Sequence, residues 1–235
     1  MRNAGREDAP VIVVCGLGFE AAIAAGPGVV TVCGPGPRRV ADRLEALLGA
    51  SATDTAAGAV AGILSFGCAG GLDPHLGPGA CVLAGGVAAD GAVLASDPAW
   101  TRALAARLPG ASVGLLAGLD APLASLDAKT RLWLASGARA VDMESHAAAL
   151  AARRHGLPFA ACRVVLDPAW RGLPACALAA MRADGGTDLA ALLRALGRAP
   201  RELGPLAALA LDAWRARRAL RRVRAQLGAG LGPPR

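Results

Sequence analysis

Two carboxylates pose the chemical question in this chain. Glu144 follows the short apolar run of Arg139-Ala140-Val141-Asp142-Met143, and Asp167 closes the run Phe159–Leu166. A carboxylate at the end of a strand or helix can project into a cleft without breaking the core behind it. A reaction that needs one acid and one acceptor for sugar hydroxyls requires such a pair. An ionised carboxylate offers two acceptor oxygens to a vicinal diol. Asp167, flanked by Val165 and Leu166, is expected to be desolvated, which raises its pKa and keeps it protonated near neutrality. Arg163, four residues upstream on the same strand face, is a candidate partner for it. Each carboxylate also has a plainer reading. Glu144 could cap a helix start, where the dipole favours negative charge, and Asp167 could serve only as a turn residue before Pro168.

Two glycine-bearing segments precede this pair. Gly16-Leu17-Gly18-Phe19-Glu20-Ala21 follows a strand-like run and fits the dinucleotide pattern G-x-G-x-x-A. The acidic residue expected to close the next strand is missing, since Val29–Cys33 runs into Gly34-Pro35-Gly36-Pro37. A tight strand-to-helix turn remains as the alternative. Gly67-Cys68-Ala69-Gly70-Gly71 reads as a turn at a strand's C-terminal end, where glycines bring backbone N–H groups against a ligand. A tight turn without a ligand is the alternative here too. His75, His146 and His155 lack metal-ligand spacing and read as structural. The six cysteines show no CxxC pair, so neither a disulfide framework nor a metal site is expected.

The elements that must position these residues alternate between apolar strand-like runs and helical periodicity, the mark of an α/β domain with three layers. Strands are predicted at Val11–Cys15, Val29–Cys33, Ala61–Phe66, Cys81–Ala84, Ala111–Leu116, Arg139–Asp142 and Phe159–Leu166. Val11–Cys15 and Val29–Cys33 both read as buried. Helices are predicted at Arg38–Leu48, Trp100–Leu108, Leu126–Ser136 (with Gly137 as C-cap) and Met143–His155. The pattern is helical from Leu173 onward, and a frayed tail is expected at Gly228–Arg235. Without a linker-like stretch, residues 1–235 read as one domain. Its last helix, 206–227, is amphipathic, with Arg215, Arg218, Arg221, Arg222 and Arg224 opposite an apolar stripe. Such a helix could lie on an anionic membrane or pack on the domain with its arginines solvated.

Composition sets bounds. With 54% hydrophobic and 18% charged residues, the chain is built to bury a core. Apolar runs are too short for a transmembrane helix, and the polar segment Met1–Pro10 does not resemble a signal peptide, so a cytoplasmic location is expected. The net charge of +7 is carried almost wholly by arginine. With no tyrosine and three phenylalanines, there is little stacking surface for nucleic acid, and no nucleic-acid partner is expected.

From Val11 to Asp167 the chain resembles the purine nucleoside phosphorylase and methylthioadenosine nucleosidase superfamily. The resemblance rests on Gly67–Leu72, on Val141-Asp142-Met143-Glu144 and on Asp167, in that order along the chain; the hopanoid-associated branch is the nearest match. It implies a three-layer αβα sandwich around a mixed twisted sheet. It also implies that Glu144 accepts hydrogen bonds from the ribose 2′- and 3′-hydroxyls, that Met143 packs on the sugar, and that Asp167 protonates N7 of the departing purine. Glu20 would hold the attacking water, and Cys68, Ala69, Gly70 and Gly71 would line the site. The family commonly has Ser or Thr at the position of Cys68, and serine at that of Leu166. No cofactor is implied, although inorganic phosphate could be a co-substrate. The implied reaction is cleavage of the N-glycosidic bond of an adenosyl compound, adenosylhopane foremost, with methylthioadenosine or adenosylhomocysteine as alternatives. A non-catalytic nucleoside- or lipid-binding module of the same fold is a further alternative. A homo-oligomer is implied as well.

Overall fold

The computed structural model describes residues 9–53, 60–182, 186 and 188–233; most of the polar Met1–Pro10 segment lies outside this set. Among the described residues, eight strands form one mixed sheet. In chain order they are β1 (Val11–Cys15), β2 (Val29–Cys33), β3 (Gly62–Gly71), β4 (Cys81–Ala89), β5 (Ala92–Ala95), β6 (Ser112–Gly118), β7 (Ala140–Asp142) and β8 (Phe159–Asp167). β1 is buried on both faces, as expected of a strand with parallel neighbours on each side; these are β2 and β3. Among the described residues β2 pairs only with β1 and forms the edge, and Val30 and Thr31 are exposed. This corrects its reading as buried: an apolar run does not reveal whether a strand has one neighbour or two.

The order β2-β1-β3-β7-β6-β4-β5 is supplemented by β8, which pairs with both β3 and β4. The path β3-β7-β6-β4-β8 therefore closes on itself. Helices α1 (Gly18–Ala24), α3 (Pro98–Arg107) and α8 (Leu203–Leu227) cover one face, and α2 (Pro37–Thr53) and α5 (Ser145–Arg154) the other. The expected α/β architecture with a mixed central sheet is thus present. Five buried alanines in α5 leave little bulk between helix and sheet. α4 (Leu126–Ser136) starts at Ser125, whose hydroxyl accepts from Ala128 N–H at 3.2 Å, and stops at Gly137, in the left-handed region at φ 65°. The remaining helices are α6 (Ala175–Ala179) and α7 (Leu189–Arg198), with a 3₁₀ turn at Pro200–Glu202.

Several expectations fail for identifiable reasons. Gly67–Gly71 is not a turn: β3 continues through it, pairing with β8 and then β7. Its glycines serve close approach, since a Cβ at residue 67 would stand 2.6 Å from the Glu20 carboxyl carbon and 2.8 Å from Arg163 Nη1. β4 runs five residues past Ala84 into a hairpin with β5, whose small and exposed residues carry little strand signal. The tail is docked rather than frayed through its described part. Leu231 is fully buried, and its carbonyl accepts a 3.0 Å bond from Trp100 Nε1.

Candidate active site

The C-terminal ends of β1, β3, β7 and β8 meet around a cavity of about 190 Å³, whose lining includes Glu20, Cys68, Ala69, Gly70, Met143, Glu144 and Asp167. The two carboxylates that pose the question therefore face the same space. Gly71 does not line it. That residue pairs with Ala140 in the β3–β7 ladder, and a Cβ there would press on Pro168 Cα at 3.1 Å. Arg38, Arg39 and Arg43 are exposed and do not line the cavity.

Glu20 enters from the first turn of α1. Its Oε2 accepts from the N–H groups of Gly16 and Leu17, each at 2.9 Å, and its Oε1 from Cys68 N–H at 2.7 Å. Burial raises its pKa, while Arg163 and these three donors pull it back. Cys68 thus meets Glu20 through its backbone N–H and also through its thiol. Its thiol is pushed well above its usual range by burial and then by Glu20, and stays neutral.

Glu144 occupies the N-cap position of α5, but its side chain does not cap the helix. Asp142 does: its Oδ1 accepts from Ser145 N–H at 2.9 Å and Glu144 N–H at 3.3 Å. The helix begins at Ser145, two residues later than expected, which leaves Met143 and Glu144 in the connection that borders the cavity. Glu144 Oε1 accepts from Gly36 N–H at 3.1 Å, and a Cβ on Gly16 would lie 2.9 Å from that same oxygen. Burial pushes the Glu144 carboxyl up to about 7, aided by Asp142 and Glu20 and opposed by Arg163.

Arg163 is fully buried on β8 and does not partner Asp167, contrary to expectation. Its Nε lies 2.6 Å from Asp142 Oδ2 and its Nη2 lies 3.7 Å from Glu144 Oε2; Nη2 also donates to Ser65 Oγ at 2.5 Å. Burial opposes its charge, but Asp142, Glu144 and Glu20 more than offset that.

The partner of Asp167 is Lys129, from the second turn of α4. Lys129 is fully buried, with Nζ 2.6 Å from Asp167 Oδ2. The ammonium also donates to the carbonyls of Asp167, Pro168 and Arg171 at 2.9–3.0 Å. Burial raises the Asp167 pKa against the pull of Lys129. Lys129 was missed as a site residue although a signal was there. It is the only lysine in a chain whose other basic residues are all arginine, a sign that a planar fork does not fit this position.

The sequence profile of the phosphorylase superfamily matches residues 6–196, and the chain belongs to that superfamily. No curated protein matches it. Among solved structures, it is similar to a 5′-methylthioadenosine/S-adenosylhomocysteine nucleosidase from S. pneumoniae bound to a transition-state inhibitor. That match has TM-score 0.62 and 16% identity, over 93% of this chain and 100% of that one. The enzyme of that name from Neisseria meningitidis matches with TM-score 0.61 and 18% identity, over 92% and 97% of the two chains. Futalosine hydrolase of Helicobacter pylori matches with TM-score 0.59 and 14% identity, over 69% and 86%. Such identities speak to the fold alone.

Proposed function

We propose that this protein hydrolyses the N-glycosidic bond of an adenosyl compound. The observation that carries this reading is the meeting of Glu20, Glu144 and Asp167 in one cavity. Asp167 hands a proton to N7 of the purine. The C1′–N9 electron pair then leaves with the base, which departs neutral while positive charge develops on the sugar. Glu144 accepts from the 2′- and 3′-hydroxyls and, with Met143 beside it, steadies that charge. Glu20 holds a water and takes its proton as the oxygen bonds to C1′. Lys129 fixes Asp167 through Oδ2, leaving Oδ1 to carry the transferred proton.

Water is favoured over phosphate as nucleophile. The cation nearest Glu20, Arg163, is already committed to Asp142 and Glu144, and a phosphate would meet the Glu20 carboxylate. The cavity volume is below the roughly 300–1,000 Å³ of sites that enclose a drug-sized ligand whole. The base and ribose would fill it, and the 5′-substituent would pass the apolar rim of Leu173 and Met181. That arrangement suits adenosylhopane, the substrate implied by the resemblance. Methylthioadenosine and adenosylhomocysteine form the second reading, supported by the named activity of the similar solved enzymes.

Incubation with each compound, with and without phosphate, tests this. Adenine released from adenosylhopane without phosphate is the expected result. Phosphate dependence would remove Glu20 from its role, and no adenine from any compound would leave a binding module.

A further inference from the structure

α8 has two unlike faces. Asp212, Ala216, Ala219, Leu220, Val223 and Leu227 are buried against the sheet. On the opposite side, at helical spacing, the stripe changes character along its length. Leu203, Leu211 and Trp214 are 57%, 47% and 54% exposed. Beyond them the same stripe continues as Arg218, Arg221 and Arg222, all exposed, beside Arg217, whose guanidinium stacks 5.4 Å from the Phe19 ring centre. The Arg218 guanidinium stacks 4.7 Å from the Trp214 ring centre, an arrangement suited to the boundary between hydrocarbon and headgroups. Arg215 and Arg224 are otherwise engaged: the first lies 3.6 Å from Asp212, and the second donates to the carbonyls of Ala24 and Gly228.

α7, one 3₁₀ turn upstream, buries none of its residues. Its leucines at 189, 192, 193 and 196 share one face, and Leu189 and Leu193 are 64% and 60% exposed. The start of α7 is fastened beside the cavity rim: Asp188 N–H donates to Ala180 C=O, and the next residue, Met181, lines the cavity.

We propose that the exposed stripe of α8, together with the leucine face of α7, docks on an anionic phospholipid bilayer. Charge identifies the occupant. α8 carries six arginines and one acid, and that acid, Asp212, is buried and paired with Arg171 at 2.6 Å. A second copy of α8 meeting this face would offer those arginines no exposed carboxylate in either orientation. An anionic bilayer satisfies the arginines with phosphate and the leucines and tryptophan with acyl chain. The dock would bring the Met181 rim toward the membrane. Only that corollary, delivery of a lipid-linked nucleoside from the bilayer, rests on the nucleosidase reading.

The test is sedimentation of the full chain with vesicles of phosphatidylcholine, alone or mixed with phosphatidylglycerol, at low and high salt. We expect at least ~10-fold tighter binding to the mixed vesicles, weakening as salt screens the arginines. Leu211→Glu with Trp214→Glu, and separately Arg218→Glu with Arg221→Glu, should each abolish binding without moving the melting temperature. Equal binding to both vesicles, no binding, or variants that bind normally would overturn the proposal. So would a wild-type dimer in light scattering that the Leu211/Trp214 variant converts to monomer, since a second copy would then cover this face. The vesicle result needs no substrate, so it stands apart from the adenine assay.

Discussion

The two ends of the cavity solve opposite electrostatic problems. Around Arg163, three carboxylates (Glu20, Asp142 and Glu144) share one cation, and the Glu144 carboxyl rises to about 7. Around Asp167, a single carboxylate meets a lysine that also serves three backbone carbonyls. The first end is short of positive charge and suits a sugar that becomes cationic during reaction. The second pins one acid in place and suits proton delivery to a base. Sugar and purine thus have distinct ends in the proposed reaction, and removing groups from each should give distinct signatures.

The largest effect is expected at the acid. Asp167→Asn should lower kcat by ~100-fold or more, the range for a lost general acid, with little change in KM. A near-normal turnover number would end the proposed division. Lys129→Met should act mainly on stability. It strands a buried carboxylate and three carbonyls, and the loss of one partner of a buried pair costs ~3–5 kcal/mol. Chemical denaturation would read this as a lower midpoint. Lys129 also holds the Asp167 pKa down, so its loss should carry the alkaline limb of the rate profile to higher pH.

Glu144→Gln sharpens the contrast at the other end. A charge-assisted hydrogen bond is worth about 1.5–3 kcal/mol, so kcat/KM should fall ~10–100-fold. In the proposed reaction Glu144 is ionised to accept from the diol, so kcat/KM of the parent should rise with pH through about 7; the glutamine variant should lack that limb. Stability should show the opposite trend. The folded-state pKa is raised from 4.5 to about 7, so the contribution of this group is complete below pH 4.5 and is lost as pH climbs to about 7. Melting curves across that window should decline more steeply for the parent than for the variant.

Much of the layout was legible from the sequence because strand ends and helix caps are local. Leu126–Ser136 with its Gly137 cap, and Phe159 as the start of β8, follow from periodicity and punctuation alone. Glu144 and Asp167 are nameable for the same reason, whereas Glu20 is named only through the resemblance to the superfamily. What stayed hidden depends on tertiary neighbours. Arg163 sits four residues from Asp167 on one strand, yet its side chain turns to Asp142, which arrives on β7. Lys129 reaches Asp167 from a helix 38 residues away in sequence. Gly67–Gly71 looked like a turn because glycine serves turns and close contacts alike, and only the position of Glu20 distinguishes them.

Cys68 is where the smallest change is expected, and the reason is structural. Where the family commonly has a hydroxyl, this chain has a neutral thiol; the thiol meets Glu20, which serine could also do, and the backbone N–H donates to Glu20 at 2.7 Å. That N–H is fixed by the β3–β8 ladder, in which Cys68 sits opposite Val164, and serine would leave the ladder unchanged. Cys68→Ser should therefore keep hydrolysis within about 3-fold of the parent, the ~0.5 kcal/mol scale of a substitution that removes no partner. The informative measurement is the variant's rate against phosphate concentration. A hydroxyl adds a stronger donor to the cavity wall, but Glu20 still faces any incoming anion and Arg163 is still held by Asp142 and Glu144. The rate should stay flat with phosphate. A rise would mean that a single side chain separates the two nucleophiles, and that the carboxylate excess around Arg163 does not decide between them.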